Sequence, residues 1–385
     1  RPRRWCPVSR IDDLIRDLCP DGVEYKLLRD LVRIKNGRDF KHLKQGDIPV
    51  YGSGGIISYV NEHTSKGPSV LIPRKGSLNK LYFVEGSFWN VDTIFHTEIG
   101  GQLEPKYFYY YLQTLHLEKM SQAGGVPSLT QHILNELKIP TPPIFIQQEI
   151  VKILDQFTQM EAELEAELEA RQHQYTYYRD ILVAPHNSSQ LVKLGAVSRI
   201  ARGASPRPIR QFITDSTGVP WIKIGDVPPG GKHITSTAQH ISEDGATRSR
   251  RIKPGDFVLS NSMSFGRPFI SKIDGCIHDG WLVISNYEKT FDQDFLYHVL
   301  RSSPIQKDFT QRAGSGTVRN LNSTIVGETL VPAPPIDQQR DIVDLLDKFD
   351  LLVNDLSSGL PAEIEARRKQ YEYYRDRLLT FPEKK

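Results

Sequence analysis

Two stretches of the chain repeat their apolar residues at alternating steps of four and three. The first passes through Ile150, Leu154, Phe157, Glu161, Leu164, Leu168, Arg171, Tyr175, Tyr178 and Leu182, and eight of these ten are apolar or aromatic. That is a heptad seam, which predicts a long helix in need of a partner. The second passes through Ile342, Leu346, Phe349, Val353, Leu356, Leu360, Ile364, Arg367, Tyr371, Tyr374 and Leu378, with ten of eleven apolar or aromatic. Between Leu360 and Ile364 the spacing slips to two successive fours, at Gly359-Leu-Pro361. Such a stutter unwinds a supercoil locally, and proline removes a helical hydrogen bond. A bend or break is therefore expected in the second helix and none in the first. Elsewhere the apolar residues come in short runs punctuated by Gly and Pro, among them 68–73, 81–84, 256–260 and 281–285. These read as short strands. Each group of strands ends in a helix-like run, 106–120 and 294–311. Ile11, Leu14, Ile15 and Leu18 predict a small helix near the start, with Ser9 and Asp12 spaced as a capping box.

The two long patterns are copies of one another. Residues 143–157 and 335–349 are identical at eight of fifteen positions at an offset of 192, and 167–182 and 363–378 at eleven of sixteen at an offset of 196. The repeat continues faintly upstream, where 33–37 (RIKNG) resembles 199–203 (RIARG), and 124–143 answers 314–335. A period this long is a duplicated domain rather than a solenoid unit. The chain thus divides into an N-terminal helix and extension (1–21), a variable domain (22–142), a spacer helix (143–189), a second variable domain (190–330) and a second spacer helix (331–385). The expected fold class is α+β. Two similar domains, each with a curved, mostly antiparallel sheet, are separated by two long helices that pair as an antiparallel coiled coil with pseudo-two-fold symmetry.

Composition sharpens this division. The whole chain carries 49 Lys and Arg against 46 Asp and Glu, a net charge of +3 over 385 residues. Split at the repeat boundaries, the variable domains hold +3 and +6, the helical segments −5 and −2, and the N-terminal stretch +1. Near-neutrality conceals two basic lobes on acidic struts, and basic lobes attract phosphate. Three scattered cysteines without CxxC spacing point to a reducing, cytoplasmic setting and away from a disulfide framework or zinc knuckle. No apolar run is long enough to span a membrane, and no signal peptide opens the chain.

Polar loops supply candidate DNA-binding residues. In the first domain these are Arg74, Lys75, Ser77, Asn79 and Lys80, with Gly54 in a glycine-rich turn. In the second they are Asn261, Ser262 and Arg267, with Arg319 and Asn320 in another glycine-rich loop. Arg and Asn read guanine and adenine edges, Lys and Ser hold phosphates, and glycine lets backbone come close. Catalytic motifs are missing: no phosphate-binding loop, no HExxH, no GxSxG and no (N/D)PP(Y/F) of amino-methyltransferases. Pro20-Asp21 with Glu24-Tyr-Lys26 mimics a nuclease signature, but its gap is too short for two adjacent strands. No metal site is expected.

The pieces PDGVEYKLL (20–28), DIPVYGSGG (47–55), WNVDT (89–93), PTPPIFIQQEIVKILD (140–155), ARQHQYTYYRDIL (170–182), PAPPIDQQRDIVDLLD (332–347) and EIEARRKQYEYYRDRLLTF (363–381) resemble the specificity subunit of type I restriction-modification systems. The likeness covers about 9–381. It implies two target-recognition domains, each reading half of a bipartite, asymmetric site in double-stranded DNA. It further implies two modification (methyltransferase) subunits, carrying S-adenosylmethionine, docked on the helices, and restriction subunits added to that core. No cofactor and no catalytic residue are expected of this chain itself. Tyr175, Tyr178, Tyr371 and Tyr374 are the candidate partner-binding residues. The resemblance also implies a circular arrangement in which YYRDRLLTF would run on into GVEYKLL. A stand-alone DNA-binding or architectural protein is the alternative. A fused methyltransferase and a coiled-coil scaffold without DNA fit the residues less well.

Overall fold

The computed structural model describes residues 7–120, 128–185, 190–215, 217–227, 231–261, 265–314, 320–354 and 358–384. The chain forms two compact units, one of residues 1–163 and 366–385, the other of residues 164–365.

In the first unit a four-stranded antiparallel sheet runs Val32–Lys35, Ile94–Ile99, Ser69–Pro73, Tyr82–Val84. Ser69–Pro73 is buried at every residue, as the unbroken apolar run SVLIP requires of a strand covered on both faces. A second sheet runs Gly55–Val60, Gln45–Gly52, Ser87–Asn90, Ser65–Lys66, with Gln45–Gly52 and Ser87–Asn90 parallel. Helix Pro105–Thr114 covers the first sheet with Tyr107, Phe108 and Leu112.

The second unit repeats the plan. One sheet runs Arg199–Arg202, Trp281–Ser285, Phe257–Ser260, Pro268–Ser271, His233–Ile234, and the other Ile213–Thr214, His240–Ile241, Val219–Ile222, Gly275–Ile277, Arg250–Ile252. Again one central pair of the second sheet, Val219–Ile222 with Gly275–Ile277, is parallel. Each unit therefore holds two main sheets where one curved sheet was expected, beside a two-stranded pair, Tyr25–Leu27 with Lys138–Pro140 in the first unit and Gln190–Lys193 with Leu330–Ala333 in the second. Runs of apolar residues locate strands, but pairing such as Val50 with Trp89 joins residues far apart in sequence.

The faint upstream repeat marks one turn made twice. Gly37 and Gly203 follow the strands Val32–Lys35 and Arg199–Arg202. A Cβ there would lie 2.0 Å from the carbonyl oxygen of Val91 or of His278, so only glycine fits. The next amide crosses to the second sheet in both units, Arg38 N to Asn90 O at 2.8 Å and Ala204 N to Ile277 O at 3.1 Å.

The helices follow the heptads. Ile144–Leu182 is one unbroken helix of 39 residues. Its counterpart is two helices, Ile336–Asn354 and Leu360–Leu378, with Ser358 and Gly359 non-helical between them. Pro361 sits in the first turn of the second piece, where proline is tolerated. The 294–311 run is also two helices, Gln293–Arg301 and Ser303–Arg312, the second admitting Pro304 in its first turn. The N-terminal helix spans Pro7–Leu18, so Ser9 lies inside it and is not its cap.

The repeated block after each Pro-Pro pair has a mechanical reason. Gln147 and Gln339 are fully buried at equivalent positions in the first turn of their helices. Gln147 Oε1 accepts from Glu104 N at 2.8 Å, and its Nε2 donates to the carbonyls of Gln102 at 3.1 Å and Pro142 at 2.8 Å. Gln339 Oε1 accepts from Asp292 N at 2.8 Å, and its Nε2 donates to Thr290 O at 2.9 Å and Pro334 O at 2.7 Å. Each glutamine ties the start of a spacer helix to the start of the helix that covers its sheet.

Candidate nucleic-acid interface

The loop 74–80 leaves the buried strand Ser69–Pro73 and is pinned at its root. The amides of Arg74 and Lys75 donate to Thr93 O at 2.9 and 3.3 Å, and Leu129 N donates to Arg74 O at 2.9 Å. Arg74 stands over the Phe95 ring, 5.9 Å from its centroid. The neighbouring Gly76 lies so close to Ser53 that a Cβ there would sit 3.2 Å from Ser53 Oγ. The turn carrying Gly54 and the exposed Lys75 are thus brought together. Leu78 is buried and splits the loop. Beyond it Lys80 is exposed, and Asn79 lines a cavity of about 390 Å³ with Gln113, His116 and Arg375. Ser77, half-buried, accepts at its carbonyl from Lys80 N.

The second loop occupies the equivalent place, since Leu321 N donates to Asn261 O at 2.9 Å as Leu129 N does to Arg74 O. Its side chains behave differently. Asn261 is buried and spends its Nδ2 on Asp279 O at 2.9 Å, so its amide faces the protein interior. Arg267 is half-buried with its guanidinium 5.1 Å from the Phe269 centroid. Asn320 is exposed. Ser262 and Arg319 lie outside the described residues.

The four helix tyrosines divide by seam position. Tyr175 is buried in the second unit, where its hydroxyl meets His298 Nδ1 at 3.1 Å and Arg179 and Arg301 lie over its ring. Tyr371 does the same work in the first unit, donating to Gln113 Oε1 at 3.0 Å beneath Arg375. Tyr178 packs against Phe349 at 5.9 Å, and Tyr374 stacks on Phe157 at 5.4 Å. Within the first unit, these contacts and Arg368 Nε to Glu161 Oε1 at 2.6 Å run in opposite chain directions, an antiparallel pairing. Tyr175 and Tyr371 thus face inward, as their own heptad positions imply, and offer a partner little surface. Tyr178 keeps 40% of its surface exposed, and the most exposed tyrosines of these helices among the described residues are Tyr177 and Tyr373, both at 63%. They sit off the seam, between two seam positions, and the heptad spacing already held that signal.

A family model described as the type I restriction modification DNA specificity domain matches residues 20–171 and again 187–366. The chain belongs to this family. It is 30% identical over 380 residues to a putative type I restriction enzyme specificity subunit of Haemophilus influenzae, covering 93% of this chain and 96% of that one. It is 31% identical over 357 residues to the EcoR124I/EcoR124II specificity subunit of Escherichia coli, covering 87% of each. In fold it is similar to the S subunit from M. genitalium (TM-score 0.54, 16% identity, 93% and 96% covered). It is also similar to a chain from a type I restriction-modification structure concerned with complex assembly (TM-score 0.61, 14% identity, 93% and 97% covered).

Residues 23–25 meet residues 381–384: Val23 N donates to Pro382 O at 2.8 Å, Lys384 N to Val23 O at 2.9 Å, and Tyr25 OH to Phe381 O at 3.0 Å. Residues 381–384 thus lie beside the segment entering the first domain. Among the described residues no three His, Cys, Asp or Glu side chains group as a metal site, and no helix is long and apolar enough to cross a membrane.

Proposed function

We infer that this specificity subunit acts in an assembly with DNA and the other subunits of a type I restriction-modification system. We propose that each lobe reads one half of a bipartite, asymmetric duplex site and that the long helices set the spacing between the halves. In this reading the chemistry belongs to two modification subunits held by the helices and to restriction subunits added to them. The observation that carries it is the doubling: two units share sheets, turns and glutamine clamps, while the loops they set in the same place differ. Arg74-Lys-Gly-Ser-Leu-Asn-Lys80 stands where Asn261-Ser-Met-Ser-Phe-Gly-Arg267 stands in the copy. One scaffold with two unlike loop sets reads two unlike sequences, and half-site separation follows protein geometry. The exposed pair Tyr177 and Tyr373 suits two copies of one partner, because equivalent aromatic anchors on a repeat present the same surface twice.

The test is to express the chain with its modification subunits and map methylated adenines across a genome. A split motif with two different halves is the expected result. A contiguous motif, or a palindromic one, would overturn the reading.

A further inference from the structure

We propose that two equivalent basic arcs, residues 33–44 and 199–210, grip the phosphate backbone of duplex DNA, one in each lobe. The inference rests on the DNA reading above and adds a site to it, distinct from the loops 74–80 and 261–267.

The arcs occupy the same place in both units. Each starts on the first strand of the main sheet, makes its close approach at Gly37 or Gly203, and crosses to the second sheet through the amide bonds described above. Each is then anchored by apolar side chains. Phe40 and Leu43 pack on the small core of Val50, Val60, Trp89 and Val91. Ile209 and Phe212 join Trp221, Ile241, Ala246 and Cys276. With the apolar residues turned in, the cations are left outside: Arg38, Lys41, Lys44, Arg207 and Arg210 are all exposed, Arg207 by 83% of its side chain.

The arcs share both charge and part of its spacing. Residues 33–44 hold five Lys or Arg and one acid, Asp39, and residues 199–210 hold four Arg and no acid. Counted from Arg33 and Arg199, cations recur at the same steps of eight and eleven, Lys41 with Arg207 and Lys44 with Arg210, while Lys35, Arg38 and Arg202 have no counterpart. The base-reading loops show no such agreement, with three cations in 74–80 and one in 261–267. Lys and Arg exchanged for one another at matched positions suit a phosphate track, where contacts position the protein without reading bases.

The cations are also largely unspent. Among the described residues Arg38, Lys41, Lys44 and Arg210 have no carboxylate partner. Arg207 reaches Asp279 only at 3.5 Å and Lys35 reaches Glu98 only at 3.9 Å, both exposed. In the first lobe Lys41, Lys44 and Gln45 line a groove opposite Tyr59 on the edge strand Gly55–Val60, and Tyr59 is exposed. A groove with cations on one wall and an exposed edge on the other can follow a polyanion.

The probe is a fluorescein-labelled 40-base-pair duplex of arbitrary sequence, titrated with the full chain between 50 and 250 mM NaCl. The variants are R38A/K41A/K44A and R199A/R207A/R210A, with K152A/K348A on the spacer helices as control. Each lost phosphate contact lowers the log–log salt slope by about 0.9. Either arc variant should therefore flatten the slope by about 2 to 3 and weaken binding at 150 mM by about tenfold or more, with the control unchanged. R38K and R199K/R207K/R210K keep the charge and should keep the slope. Arc variants with the wild-type slope, or lysine variants as weak as the alanine ones, overturn the proposal while leaving the DNA reading intact. A wild-type chain whose duplex binding ignores salt overturns the DNA reading and the arcs together.

Discussion

Gln147→Met and Gln339→Met isolate the clamp that each repeat uses to hold its spacer helix. Methionine keeps the length of the side chain and removes its polar atoms. In the second unit the amide of Asp292 and the carbonyls of Thr290 and Pro334 then lose their partner, all three within 2.9 Å of the glutamine at present. Leaving a buried polar group unpaired costs about 1–3 kcal/mol. Three such groups, two of them in partly buried contacts that water can reach after relaxation, come to about 3–4 kcal/mol. That is a large fraction of the roughly 5–15 kcal/mol that holds an ordinary domain. Urea unfolding of the full chain, followed by circular dichroism, reads the loss as a lowered midpoint. Gln339→Glu separates hydrogen bonding from shape. Its carboxylate still accepts from Asp292 N but sets an oxygen against two carbonyls, so the native state holds it protonated. A carboxyl whose folded pKa is raised loses its stability contribution as pH rises past the unfolded value of about 4.3. The glutamate variant should therefore be much weaker at pH 8 than at pH 5. A loss below about 1 kcal/mol in the methionine variants, or a glutamate variant indifferent to pH, refutes the clamp.

Other outcomes follow from the same geometry. Tyr177→Ala and Tyr373→Ala should each reduce the modification subunits bound per chain from two toward one, and the double variant should bind neither, as native mass spectrometry would read; two bound in every case removes these anchors. His298 is fully buried, and burial holds its pKa below the ordinary 6.5 against the opposing pull of Asp347. Its neutral form is the native one, so stability is present above pH 6.5 and lost as pH falls from there through the folded value. Urea midpoints should drop between pH 7.5 and 5.5, and less so in His298→Gln; equal drops would assign the effect elsewhere. Deleting 160–166 together with 363–369 removes one heptad from both helices, keeps the seam within about 20° and shortens them by about 10 Å, or about three base pairs of DNA. The methylated motif should keep its halves and shorten its spacer, and an unchanged spacer would sink the ruler.

The helices were legible because a heptad seam is a local pattern that the final packing obeys. Even the break at Gly359 and the inward turn of Tyr175 were present in the spacing. The sheets were less so. Residues 45–52 and 87–90 each look like a strand, but nothing local says that they pair in parallel and close a second sheet. The site was least legible of all. Asn261 and Arg74 hold equivalent places in equivalent loops, yet one turns its side chain into the protein and the other stands over a ring near the surface. Which way a loop side chain points depends on its neighbours, here Asp279 in one case and Phe95 in the other. The basic arcs were visible only as a faint likeness of five residues, since beyond it they share two cation positions and no identical residue.

The duplication also explains how lobes can change their loops without losing their hold on the helices. Asp155 and Asp347 are equivalent residues on the spacer helices. Asp155 takes Tyr110 OH at 2.6 Å and Lys106 Nζ at 2.8 Å. Asp347 takes His298 Nε2 at 3.1 Å and Lys232 Nζ at 3.5 Å. A carboxylate accepts from a phenol, an imidazole or an ammonium alike, so the lobe side of this contact is free to change while the helix side stays fixed. The glutamine clamps go further, because they bind only backbone groups and so make no demand on lobe side chains at all. A helix that holds its lobes through backbone atoms and permissive carboxylates tolerates replacement of the lobe sequence. That tolerance is the physical condition for a subunit whose task is to carry different readers on one frame.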